Sequence, residues 1–109
     1  MSYLKFLNLV KAVRQLPTYP PMDAIEARLI NELGLGWAAG KQTSVVEAMN
    51  MLDDVSPSSV HRRLKTLSKK GLIKLVVDKV DSRVKYIVGT PLYRKYLAEM
   101  DACLLKAQE

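Results

Sequence analysis

A chain of 109 residues, 49% hydrophobic and 26% charged, has the size and composition of one small globular domain rather than a disordered segment. No apolar run nears the roughly 20 residues that cross a bilayer, no basic and apolar series of a secretory leader opens the chain, and the single Cys103 allows neither an internal disulfide nor a cysteine metal cage. The net charge of +6 is unevenly placed: residues 1–55 hold five Lys/Arg against six Asp/Glu, whereas residues 56–109 hold twelve against five.

Residues 3–16 (YLKFLNLVKAVRQL) are expected to be helical, with Tyr3, Leu4, Phe6, Leu7, Leu9, Val10, Val13 and Leu16 covering more than one face. Such a helix buries one side in a core and offers another to a partner. Pro17, Pro20 and Pro21 make the next segment a stiff connector. Asp23 with Glu26 is a capping-box pattern, and Ile25, Leu29, Ile30 and Leu33 follow at helical spacing. That helix is expected to stop at the glycines of residues 34–40 (GLGWAAG), with Trp37 packing between helices. Ser44 and Glu47 repeat the capping box and open a helix to about Leu52, with Val45, Ala48, Met49 and Leu52 inward.

Ser56 suits an N-cap and Pro57 the first helical position. The helix of residues 56–70 has Val60, Leu64 and Leu67 on one stripe, and Gly71 ends it after Lys69 and Lys70. Residues 72–77 are β-rich, and Val84, Tyr86 and Val88 alternate with Lys85 and Ile87 in a second strand. Residues 78–83 form the polar hairpin tip between them. Thr90-Pro91 starts a last helix with Leu92, Tyr96, Leu97, Met100, Leu104 and Leu105 largely on one side. The expected fold class is mainly α with a small β-hairpin, α+β. It divides into a terminal helix and connector (1–22), a core (23–90) and a C-terminal helix (91–109).

Nine of the twelve cations in the second half fall between Arg62 and Lys85. A basic block confined to one segment is the footprint of a polyanion partner. At about 100° per residue, the face opposite Val60, Leu64 and Leu67 centres on Ser58, Arg62, Lys65 and Lys69, flanked by Ser59, His61 and Thr66. Short hydroxyls at a helix N-terminus can approach phosphates, and arginine can fork onto guanine O6 and N7 in the major groove. The hairpin adds Lys79 and Arg83 at its tip and Lys74 and Lys85 on its strands. A solvated amphipathic helix and a charge-protected edge strand are the bland alternatives, and the two features in this order argue against coincidence.

Residues 43–90, with the run SPSSVHRRL, then LSKKGLI, then Asp81-Ser82-Arg83, resemble the winged-helix core of MarR-type bacterial transcriptional regulators. The resemblance implies a winged helix-turn-helix whose terminal helices, 3–16 and 91–107, pack in a homodimer. It implies double-stranded DNA as partner, with Ser58, Ser59, Arg62 and Arg63 touching bases and phosphates. Arg83 would be the wing arginine of the minor groove, braced by Asp81. With His61, Lys65, Thr66, Lys69, Lys79 and Lys85, these make the expected DNA-binding set. The expected setting is cytoplasmic, in a bacterium or encoded by a phage or plasmid. A small-molecule effector is compatible with this reading, but no residue pattern supports one.

Other chemistries find little support. Gly34 to Lys41 mimics a phosphate loop, but Leu35 stands where glycine is needed and Gln42 where Ser/Thr is needed. The one histidine, His61, has no nearby nucleophile and orienting carboxylate, so no catalytic site, cofactor or metal is expected and the chain is not expected to be an enzyme. Asp53 and Asp54 fit a helix end, and Cys103 a core or interface position. RNA binding lacks stacking aromatics on the basic face. A winged helix used for protein–protein interaction, as an antirepressor or assembly factor, remains the alternative.

Overall fold

The capping residues set the boundaries of the helices they precede. Asp23 Oδ1 accepts the Glu26 N–H at 2.8 Å while Glu26 Oε1 accepts the Asp23 N–H at 3.0 Å, and the same reciprocal box joins Ser44 and Glu47. In this computed structural model, which describes residues 1–109, α1 spans Ser2–Arg14 and α2 Ala24–Ala38. The short strand β1 (Thr43–Ser44), α3 (Val45–Met49) and α4 (Pro57–Lys69) follow. Strands β2 (Ile73–Val77) and β3 (Lys85–Gly89) lead to α5 (Pro91–Ala107). The chain forms two units, Met22–Thr90 and the pair Met1–Pro21 with Pro91–Glu109.

In the unit Met22–Thr90, three helices pack on a three-stranded antiparallel sheet of order β1-β3-β2. Register runs from Ile73 opposite Gly89 to Val77 opposite Lys85, and Thr43 lies opposite Ile87. Leu29, Leu33, Val60, Leu67, Leu72, Ile73 and Ile87 are fully buried and make the core. This is the α+β class expected, with a third strand that the sequence did not announce.

The structure sharpens three expectations. Helix α2 ends within residues 34–40 as expected, but it runs on through Gly34 and Gly36 to Ala38 before Gly40, at φ 77°, turns the chain. Glycine costs about 1 kcal/mol in a helix, but packing of the last turn overrides that preference. The Trp37 Nε1–H donates to the Ile87 carbonyl on β3 at 3.1 Å, a tie to the sheet that the sequence did not show. Helix α3 ends at Met49, and buried Leu52 lies in the turn beyond it.

In the other unit, α1 and α5 pack together. Burial divides the apolar residues of α5. Tyr93, Tyr96, Cys103 and Ala107 are buried, whereas Leu97, Leu104 and Leu105 are exposed. On α1 only Val10 is buried, and Tyr3, Leu4 and Leu7 face solvent. Tyr19, from the connector, stacks at 5.4 Å on Tyr96, whose hydroxyl accepts the Arg14 Nε–H at 3.1 Å. Burial is the main reason the Tyr19 hydroxyl is pushed up to about 12.

The α4 stripe gives a direct stability test. Leu67→Ala removes a fully buried side chain and is expected to cost about 3 kcal/mol. Ser56→Ala, which removes the α4 cap, is expected to cost about 1 kcal/mol. Urea unfolding followed by circular dichroism measures both.

Candidate nucleic-acid interface

Helix α4 is built to start where it does. Ser56 Oγ accepts the Ser59 N–H at 3.3 Å, and Pro57 fills the first helical position. The Ser56 hydroxyl also donates to Ser59 Oγ at 2.8 Å, and Arg62 Nη2 approaches that same oxygen at 3.4 Å. Gly71, at φ 81°, takes the left-handed conformation that ends the helix. Val60, Leu64 and Leu67 are buried, so Ser58, Arg62, Lys65 and Lys69 are turned out and exposed.

The flanks of α4 differ. On one, His61, Lys65 and Lys69 line a groove of about 350 Å³ with Lys85 of β3, Leu64 and Leu75. This groove brings four of the basic candidates, from two elements, to one place. On the other flank Arg63 is ion-paired with Asp23 at the start of α2, and Lys70 Nζ donates to both carboxylate oxygens of Glu26 at 2.9 Å. Arg63, expected among the DNA contacts, is therefore turned toward α2 and engaged there. Thr66 directs its hydroxyl back to the Arg62 carbonyl at 3.0 Å.

The hairpin tip is a hydrogen-bonded turn. Asp78 Oδ2 accepts the N–H groups of Val80 and Asp81 at 3.0 and 2.8 Å. Asp81 Oδ1 then accepts the Arg83 N–H at 3.0 Å and the Arg83 Nε–H at 3.1 Å. The Arg83 guanidinium, followed by its backbone N–H, holds the Asp81 carboxyl below its ordinary range, and Asp81 raises Arg83 in turn. So exposed a pair contributes little to stability. Its effect is to hold an 88% exposed arginine in one orientation. Lys79 stands exposed beside it, and neither Lys79 nor Arg83 reaches the groove.

Sequence reasoning missed the ties that hold α4 and its preceding turn. Arg28 of α2 forks onto Asp54 at 2.9 and 2.7 Å and lowers its carboxyl. That pins the turn between α3 and α4. The residue types were visible, but Asp23 and Glu26 had already found local roles as caps, and nothing in linear spacing joins them to Arg63 or Lys70.

No family model and no curated protein matches the chain. Among solved structures it is similar to the heme sensor protein PefR from Streptococcus agalactiae in complex with heme. Identity is 25%, with 95% of this chain and 65% of that chain covered and a TM-score of 0.65. Apo PefR gives 24% identity, 97% and 85% coverage and a TM-score of 0.62. The chain has a winged-helix regulator fold. It spans just under two thirds of the heme-bound PefR chain (65%).

The brace at the wing tip is measurable. Carbon-detected NMR titration is expected to place the Asp81 carboxyl below the ordinary aspartate range. In Arg83→Ala it rises part of the way back, because the backbone N–H bond survives. An Asp81 titration that Arg83→Ala leaves unmoved counts against the brace.

Proposed function

We propose that this chain binds double-stranded DNA with sequence specificity, as a MarR-type transcriptional regulator acting in the cytoplasm. Helix α4 enters the major groove, and the wing tip, residues 78–83, lies on the flanking backbone or in the minor groove. One observation carries the reading. Arg62, Lys65 and Lys69 stand exposed, without carboxylate partners, on the face of α4 opposite its buried stripe. Lys85 and the wing residues Lys79 and Arg83 extend that surface. Ser58, Ser59 and the helix N-terminus suit phosphate, Arg62 a guanine edge, and His61 and Thr66 the borders of the contact.

The partner of the α1–α5 unit is a second copy of the chain. Two helices cannot enclose Tyr3, Leu4, Leu7, Leu97, Leu104 and Leu105, all exposed, and a two-fold dimer would present two recognition helices to a palindromic site. The same apolar surface would serve a foreign protein if the chain were an interaction module.

In a mobility-shift titration against a duplex selected from a random pool, Arg62→Ala/Lys65→Ala is expected to weaken binding about tenfold or more. The slope of log K against log salt should become shallower, by about 0.9 for each phosphate no longer neutralised. Arg83→Ala should weaken binding while keeping the same preferred sequence. Unchanged binding of the double variant to every duplex rules out α4 as the recognition helix. A monomeric mass on size exclusion, with weak and sequence-independent DNA affinity, would favour the interaction module instead.

A further inference from the structure

We propose that the capping box at the start of α2 is the positioning device of the recognition helix. Asp23 acting through Arg63, and Glu26 acting through Lys70, set the rotation of α4 about its own axis and so aim Arg62 and Lys65. The proposal rests on the DNA-binding reading and names what makes that reading selective.

A capping box needs no cation. Asp23 and Glu26 already satisfy each other's backbone N–H groups. Yet each carboxylate has a second partner, and both partners come from one flank of α4. Arg63 and Lys70 are seven residues apart, about two turns, so they lie on one line along the helix. One tie would leave α4 free to pivot, whereas two ties on a line fix its rotation and its axial position. Glu26 is only 2% exposed. A buried carboxylate is tolerated only when paired, and such a pair adds directionality more than net stability. The apolar stripe sets which side of α4 faces inward, but hydrophobic burial is non-directional and leaves the finer rotation to the ties.

The outer face needs it. A side-chain tip sits roughly 6 Å from the helix axis, so a turn of about 20° would displace it by about 2 Å. Hydrogen bonds to a base edge tolerate far less. The same ties neutralise Arg63 and Lys70, which confines the unpaired cations of α4 to Arg62, Lys65 and Lys69.

The test compares affinity for the pool-selected duplex with affinity for a scrambled duplex of equal length, across a salt series. Glu26→Gln/Lys70→Met removes one charge of each sign and keeps the net charge. Its discrimination ratio is expected to fall about tenfold, the scale of one bidentate base contact, with scrambled-duplex affinity, salt slope and helix content unchanged. Lys70→Arg is expected to keep the wild-type ratio. Asp23→Asn, which keeps a good cap and drops the ion pair, should lower the ratio even if the double variant fails to fold. A wild-type ratio in folded Asp23→Asn or Glu26→Gln/Lys70→Met overturns the proposal. So does a salt slope reduced by about 0.9 in Arg63→Ala, since Arg63 would then be touching phosphate. A wild-type protein that binds both duplexes equally removes the DNA-binding reading itself, which is a different outcome.

Discussion

Val60, Leu64 and Leu67 on the back of α4 constrain its outer surface before any charge is considered. All three are buried, and moving any of them to water would cost about 1.5–3 kcal/mol. With that stripe inward, helical geometry leaves Ser58, Arg62, Lys65 and Lys69 no place but the opposite face. The flanks take what remains: His61 faces the sheet side, Arg63 and Lys70 the α2 side. The basic surface of this chain is thus a by-product of how its core is filled.

The positive block between Arg62 and Lys85 is less uniform in three dimensions than its net charge suggests. Arg63 and Lys70 are held by carboxylates from the acidic first half of the chain, and Arg83 by its neighbour Asp81. Arg62, Lys65, Lys69, Lys74, Lys79 and Lys85 have no such partner. The acidic residues of the first half serve as fixed counter-charges that sort structural cations from available ones. A dense basic stretch would otherwise repel itself along the helix.

What could be read in the sequence follows how local its cause is. Caps at Asp23, Ser44 and Ser56, the stop at Gly71 and the stripe of α4 depend on neighbours within four residues, and they stand where the sequence put them. Strand β1 has two residues, too few to show alternation, and exists only because β3 lies alongside Thr43 and Ser44. The run of α2 through two glycines and the true inward face of α5 are set by packing. The site divides in the same way. Its exposed cations followed from periodicity, but the engagement of Arg63 came from a residue forty positions away that linear spacing could not nominate.

The junction between α4 and the wing has a wider consequence. Thr90 donates its hydroxyl to the Gly71 carbonyl and its N–H to the Leu72 carbonyl, so the chain enters and leaves the hairpin at one stapled point. The strands above that point are held by their own ladder and by β1, and only the tip beyond Val77 and Lys85 is a loop closed on that frame. Loop closure depends only weakly on length, at about 0.6 kcal/mol for each doubling. The tip can therefore gain or lose residues while the helix below keeps its register. Reach along a target and aim toward it become separate properties, free to change one at a time as such a protein diverges.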